Sequence, residues 1–293
     1  MLVILIMMSH IPWPVSQFLG RMLGAAMVFV PFGRKAIVLE NIRRSLNCSG
    51  SHKDPSRVMR RMLKHFGQMV FEVPHIMQLD QRNLEKYVVI ENKEYLAQAL
   101  KRGKGALVLT GHFGNWELMS AAMALEFENT AIVVRAIDFK PLEQLVSHIR
   151  SLFGTEIIYK QKAMRRLLGA VKEKKAIGIL LDQNVDWYEG VFVKFLGRWA
   201  CTNKGLALIA LKSGTPVLPA FPVRQSDGRF RIMFGKELEL IRTGDKTRDV
   251  EDNTALFSGV IEKYILQYPG QWFWFHQRWK TRNYCPLPDE RRK

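Results

Sequence analysis

Cysteine is scarce in this chain: three residues in 293, at Cys48, Cys201 and Cys285, with no CxxC or Cys/His ligand spacing. So sparse and odd a set excludes a disulfide framework and argues against a structural zinc site; it fits reduced thiols in the cytoplasm. Acidic residues are also few, 27 Asp and Glu against 44 Lys and Arg, giving a formal charge of +17. A field of that sign concentrates anionic partners, whether nucleic acid, anionic lipid head groups or an acidic carrier protein. Net charge does not choose among these, nor does it exclude a merely basic, soluble surface. No internal repeat, low-complexity tract or linker is present to force a second domain. Nor does any uninterrupted apolar run reach the ~20 residues that cross a bilayer core cleanly.

The N-terminus is nonetheless hydrophobic. Met1 to Met8 is apolar without a break, Ser9, His10, Pro12 and Pro14 interrupt it, and Val15 to Phe32 resumes with Gln17 and Arg21 as polar exceptions. A secretory signal peptide fits poorly, because no basic stretch precedes the first run and no small-residue cleavage site follows. A buried core helix and a membrane anchor, spanning or interfacial, both remain. Arg34, Lys35, Arg43 and Arg44 follow at once and favour an anchor whose body faces the cytoplasm. The expected division is a membrane-associated helical segment over 1–33 and one domain over 34–293.

Within that domain, apolar strands alternate with amphipathic helices. Helical spacing runs from Asp54 to about Leu79, carrying His65 as a packed helix residue, and from Glu91 to Lys104. Strands are expected at Ala106–Thr110, from Thr130, from Thr155 and from Ala176. The helices between them run over about Asn115–Phe127, through Leu145 and Ile149, and over Met164–Lys174. A further helix near Asn203–Lys212 precedes strands at Pro216 and around Phe230. This alternation predicts an α/β fold, a single domain with a mainly parallel central sheet flanked by helices.

The chemistry concentrates at Leu107-Val-Leu-Thr-Gly-His-Phe-Gly-Asn-Trp-Glu, where His112 and Glu117 lie five residues apart. On a regular helix that spacing turns two side chains about 140° apart, since each residue advances ~100°. Gly111 and Gly114 allow His112 to sit in the turn before the helix and Glu117 in its first turn. From there Glu117 is expected to reach one imidazole nitrogen and fix the tautomer, while the other nitrogen serves as a base. Backbone N–H groups around Gly114 and Asn115 are candidates to hold a developing oxyanion. The competing reading is a capped helix with a surface histidine.

Arg135 and Asp182 each follow a strand end, the usual place for site residues in open α/β sheets. Arg135 suits a phosphate or polar head group, or else a surface salt bridge. Asp182 and Gln183 suit shaping the site or holding the acceptor, or else a helix cap. The Val191, Val193, Phe195 alternation between Gly190 and Gly197 fits an acyl groove or an ordinary strand equally. Trp272, Trp274, Phe275, His276, Arg278, Trp279 and Lys280 combine aromatic bulk with positive charge, which suits a membrane interface or a phosphorylated glycolipid. Stacking on single-stranded nucleic acid would use the same residue types, but no nucleic-acid fold signature accompanies them, so no nucleic acid is expected. His276 is read as structural.

At these residues the chain resembles the late acyltransferases of lipid A biosynthesis, the lauroyl/myristoyl transferase group of the lysophospholipid acyltransferase superfamily. Gly-His-Phe-Gly-Asn-Trp-Glu from Gly111 looks like that family's catalytic block. The likeness continues in order through Asn41-Ile-Arg-Arg-Ser-Leu, Arg135, Leu181-Asp-Gln-Asn, Gly190-Val-Phe-Val-Lys-Phe-Leu-Gly, Gly214-Thr-Pro-Val-Leu-Pro and Trp274-Phe-His-Gln-Arg-Trp-Lys-Thr-Arg. It departs after Arg135, where Ala136-Ile-Asp-Phe-Lys-Pro replaces a proline and an Asn-Pro pair, and at Leu196, which replaces an aromatic. The resemblance implies a glycerolipid acyltransferase-like fold and an inner-membrane enzyme facing the cytoplasm. It implies transfer of an acyl chain from acyl carrier protein to a hydroxyl of an anionic glycolipid, a lipid A precursor. His112 would then be the base, oriented by Glu117, with Gly114, Asn115, Arg135, Asp182, Gln183 and Arg278 toward the substrates. No metal or other cofactor is implied, because a thioester is already activated. A phosphatidylinositol mannoside or a lysophospholipid as acceptor, or a non-enzymatic basic membrane-binding protein, are the alternatives.

Overall fold

Pro12 and Pro14 stop the first apolar run from continuing as one helix, and the computed structural model shows the consequence. It describes residues 2–30, 33–161 and 163–281. Helices α1 (Leu2–Ser9) and α2 (Trp13–Ala26) meet at a bend of 120°. Next come α3 (Lys35–Cys48) and α4 (Pro55–Glu72), the latter capped by Asp54, whose carboxylate accepts from the N–H groups of Ser56 and Arg57. The helical spacing expected to reach Leu79 tightens into a 3₁₀ turn after Glu72, where Pro74 removes an amide donor.

The strands and helices then alternate: β1 (Val88–Glu91), α5 (Lys93–Lys101), β2 (Ala106–Thr110), α6 (Trp116–Glu126), β3 (Thr130–Val134), α7 (Lys140–Ser151), β4 (Glu156–Tyr159), α8 (Ala163–Lys172) and β5 (Ala176–Leu180). A hairpin of β6 (Gly190–Phe195) and β7 (Arg198–Asn203) precedes α9 (Gly205–Ser213), β8 (Val217–Arg224), β9 (Phe230–Phe234) and the long α10 (Lys246–Gln267). Seven strands form one sheet in the order β1-β9-β8-β2-β5-β3-β4, every neighbouring pair parallel except β8 and β9. This is the mainly parallel α/β sheet that the alternation predicts.

Both faces of the sheet are covered, and β2 shows how. Its five residues are all buried; Leu107 and Leu109 join the layer of α3, α4, α8, α9 and α10, while Ala106 and Val108 join that of α5, α6 and α7. Period-two side chains thus serve two cores at once, which is why the strand reads as a continuous apolar run. Two elements escape sequence reading. Strand β1 has only four residues and sits at an edge, and α10 buries Asp249, Asn253, Thr254 and Ser258, which blurs its apolar spacing. The Gly190–Gly197 alternation is an ordinary hairpin strand: Val193 and Phe195 are buried, and Leu196 with Gly197 makes a turn with both φ positive, 49° and 75°.

Helix α2 is packed with its polarity inverted. Ser16, Gln17, Gly20 and Gly24 face α4, where the two glycines let the backbones approach so closely that a Cβ at either would overlap the α4 main chain. Val15, Phe18, Leu19, Met22 and Leu23 point outward, as do Leu2, Val3, Ile4, Ile6 and Met7 of α1. Among the described residues no single helix is long and apolar enough to cross a membrane, but α1 and α2 pass that test together as a bent pair.

Candidate active site

Parallel pairing of β2 with β5 aligns Thr110 with Leu180, and the ladder continues one step to a bond from the Leu181 N–H to the Thr110 carbonyl. Two residues beyond each partner stand His112 and Asp182. They meet at the C-terminal edge of the sheet: His112 Nδ1 lies 2.8 Å from Asp182 Oδ1, and the His112 N–H donates to Oδ2 at 2.7 Å. The indole N–H of Trp272 also donates to Oδ2, at 2.7 Å. Burial alone would raise the Asp182 carboxyl, but the His112 charge and the bonds from His112 and Trp272 outweigh it and hold the group down at about 2. An ionised carboxylate only accepts, so Nδ1 carries a proton, and in the neutral ring Nε2 is the nitrogen that has the lone pair. That lone pair faces the Gln183 carboxamide nitrogen at 3.1 Å.

The carboxylate that bonds the imidazole is therefore Asp182 and not Glu117. Asn115 caps α6 by accepting from the Leu118 N–H, so Glu117 starts the helix and extends to α7. There its two oxygens take both arms of Arg150, at 2.8 and 2.5 Å, and a further bond from Trp116 Nε1 at 2.9 Å. Among the described residues Glu117 is linked to the histidine through the Trp116 ring, which meets His112 edge-on at 5.1 Å. Phe273 lies 6.2 Å from the imidazole, and Phe66 of α4 closes the aromatic group against Trp116 and Phe273. The base thus opens beside partly buried aromatic surface, a setting that suits an acyl chain. Phe66 carries no motif; only its place on α4 after folding brings it here.

The oxyanion position expected at Gly114 is occupied by the protein itself. Its N–H donates to the Gln271 carbonyl at 2.9 Å, and those of His112 and Phe113 are also bonded. Gly114 is required for another reason: φ is +56°, and a Cβ would overlap the Pro222 carbonyl oxygen. Gly114→Ala is expected to cost about 2–4 kcal/mol of stability, read as a lower urea midpoint with an unchanged slope. The Asn115 side chain is fully buried, its amide donating to Glu72 at 3.2 Å, so that side chain builds the loop. Among the described residues no group of three His, Cys, Asp or Glu side chains is placed to hold a metal.

The family of bacterial lipid A biosynthesis acyltransferases matches this chain over residues 1–281. The chain belongs to that family. It is an acyltransferase, and the non-enzymatic reading falls away. Similar relatives include a lipid A biosynthesis palmitoleoyltransferase of Escherichia coli K12, 24% identical over 93% of this chain and 87% of the relative. A lauroyltransferase of the same organism is 23% identical over 95% and 90%. A phosphatidylinositol mannoside acyltransferase of Mycolicibacterium smegmatis is 21% identical over 81% and 76%.

The C-terminal block of this acyltransferase does different work from that expected of an interface. Trp272, Trp274 and Arg278 are buried in the core. Phe113 bridges to Trp272, and the Phe273 N–H donates to the His112 carbonyl at 3.0 Å, so the block holds the catalytic loop by its backbone. Arg278, expected at the substrate, instead donates to the Cys201 carbonyl at 2.8 Å and Thr202 Oγ1 at 2.5 Å and lies over Phe195. Burial brings its guanidinium down to about 10. The early Asn41 ties in as well, donating to the His276 carbonyl at 3.1 Å. Arg135 stands apart: it is 76% exposed and pairs with Asp138 at 3.2 Å, the surface salt bridge. Of the other cysteines, Cys48 is exposed and Cys201 buried, both free; Cys285 lies outside the described residues.

His276 is structural, as read from the sequence: its Nδ1 accepts from the Asn184 N–H at 3.4 Å. Burial, partly opposed by Asp182, lowers it from the ordinary 6.5 to about 4. A depressed histidine contributes stability that is complete above its unfolded value and is lost as pH falls through the folded one. Between pH 6.5 and 4 this acyltransferase is expected to lose about 3 kcal/mol from His276. Tm measured across that range checks it, and His276→Asn should flatten the slope.

Proposed function

We propose that this acyltransferase moves a fatty acyl chain from acyl-acyl carrier protein to a hydroxyl of a lipid A precursor at the inner membrane, on the face turned to the cytoplasm. The observation that carries the reading is the His112–Asp182 pair at the sheet edge, with Nε2 free of its own proton and beside an aromatic wall. The acceptor hydroxyl takes the place of the Gln183 amide at Nε2 and gives up its proton as its oxygen attacks the thioester carbonyl. Asp182 stabilises the imidazolium, the C–S bond breaks, and His112 returns the proton to the departing thiolate. Gln183, displaced but still a donor, is suited to the carbonyl oxygen in that step. Glu117 acts as a positioning residue, fixing Trp116 against the imidazole through Arg150.

The outward apolar faces of α1 and α2 support a membrane seat, followed on the chain by Arg34 and Lys35. The basic surface supports an acidic carrier protein as donor over acyl-CoA. A phosphatidylinositol mannoside acceptor is the second reading, supported by the relative that bears that name. The purified full-length protein should be given acyl-acyl carrier protein or acyl-CoA with each of three acceptors, and the products weighed by mass spectrometry. The expected product is a lipid A precursor heavier by one acyl chain, made from the carrier-bound donor. Acylation of phosphatidylinositol mannoside or lysophospholipid with none of the lipid A precursor would overturn the acceptor.

A further inference from the structure

Trp272, Trp274 and Arg278 of the C-terminal block are buried and offer no surface to an anion, whereas a row of cations stands exposed on α4. Arg57, Arg60, Arg61 and Lys64 recur at helical spacing along the exposed side of α4. The side chains of Arg57, Arg61 and Lys64 make no ion pair with any described residue, and Arg60 reaches only Asp54, at 3.9 Å. Like charges three and four residues apart repel one another, so this row destabilises α4 unless an anion sits among them. Arg57, Arg61 and Lys64 of this row, with Lys53 and the carboxylate of Asp54, wall a cleft of about 670 Å³, which runs down to His65, Arg224 and Gln271.

The floor of the cleft is electrically spent. Arg224 grips the Glu72 carboxylate with both arms and donates through Nε to His65 Nδ1 at 3.0 Å. Burial, reinforced by Arg224, depresses His65 well below the ordinary histidine value, so it stays neutral and donates from Nε2 to the Gly114 carbonyl at 3.1 Å. The positive charge available to a ligand is therefore that of the rim. Its floor is the back of the catalytic loop, because Gln271 also accepts the Gly114 N–H.

We propose that this cleft is a binding site for the phosphate of a lipid head group, held by Arg57, Arg61 and Lys64 while the lipid's tails lie along α2. Two features select a lipid over an acidic protein. The site is concave and of head-group size, whereas a docked protein helix needs a broad face. It also borders α2 through Lys64, since Gly24 packs on the main chain of Leu63 and Lys64, and α2 turns its large apolar side chains outward. Cations bordering an apolar, lipid-facing helix meet phosphates at the bilayer surface. The site rests on the reading of α2 as membrane-seated.

The test is co-sedimentation of the full-length protein with vesicles of phosphatidylcholine, alone or mixed with phosphatidic acid. Binding to neutral vesicles reads the α2 face, and its failure would sink the membrane seat; the increment on adding phosphatidic acid reads the cleft. Each cation at a lipid surface changes binding about fivefold, so R57Q/R61Q/K64Q should erase roughly a hundredfold of that increment. A charge-matched variant, K236Q/K246Q/K263Q, alters exposed lysines elsewhere and should keep most of it. Equal loss in both variants, or an increment retained by the cleft variant, would refute the site. So would competition by inorganic phosphate as strong as that by phosphatidic acid. A cleft variant with unchanged vesicle binding but a raised KM for acyl-acyl carrier protein would reassign the surface to the donor protein. Far-ultraviolet circular dichroism of both variants should match wild type and Tm should not fall, since every substituted side chain is exposed and the cleft variant loses only like-charge repulsion.

Discussion

Replacing His112 by alanine is expected to lower acyl transfer by roughly 10²–10⁴-fold, with vesicle binding and Tm close to wild type. The size follows from what is removed. Without Nε2 the acceptor hydroxyl must ionise unaided or attack while still protonated, and nothing else described beside the site has a free lone pair in the same place. Asp182 does not take over: it is buried, and its Oδ2 still accepts from the backbone N–H at position 112 and from the Trp272 indole. Stability should change little, because the imidazole is partly exposed, at 21%, and its backbone bond to Asp182 survives. The check is a single-turnover assay with acyl-acyl carrier protein beside a sedimentation assay. Wild-type turnover in the alanine variant would refute the mechanism; loss of vesicle binding as well would mean that the fold had been damaged.

The second large effect separates two carboxylates that the motif alone would rank the other way. Asp182→Asn should reduce kcat by about 10³–10⁴-fold, because an amide no longer demands a proton on Nδ1 and the imidazole is free to turn its lone pair away from the substrate. It should also cost about 1–3 kcal/mol, since the amide nitrogen must face a donor where a carboxylate oxygen accepted. Glu117→Gln should keep much more activity. Its loss falls on the ion pair with Arg150, at 14% exposure on both sides, and reaches His112 through Trp116. Steady-state kinetics of the two variants with one donor and acceptor decide the matter. If Glu117→Gln proves the more damaging, the imidazole is oriented from α6 during turnover and Asp182 is the structural partner.

How much of this was legible beforehand depends on how far along the chain each fact reaches. The strand Ala106–Thr110 and the turn to α6 are local, written in consecutive apolar residues, two glycines and a capping asparagine, and the structure has them at nearly the expected boundaries. His112 was therefore recognisable as a candidate base. Its partner was not. Glu117 is near in sequence and Asp182 is 70 residues away, yet β2 and β5 are neighbours only because the chain places β3 and β4 on the far side of β5. Asp182 and Gln183 follow an apolar strand, which marks them as candidates, but nothing local shows which strand lies beside which. Arg278 and Trp272 failed in the opposite direction. Their composition suits a surface, and only the packing of the hairpin and α10 shows that they are inside.

Sequence by itself determined the alternating α/β fold, the strand-to-helix turn with its histidine, and, through six ordered blocks, the family. These are short-range signals of periodicity, glycine geometry and capping, which do not depend on what lies across the sheet. Tertiary structure decided which acid bonds His112, that the Gly114 N–H is spent on the chain, and that Arg278 is buried while Arg57, Arg61 and Lys64 stand exposed on α4. Each of those depends on strand order and helix packing, where one residue's partner is set by the path of the chain between them and not by its neighbours in sequence.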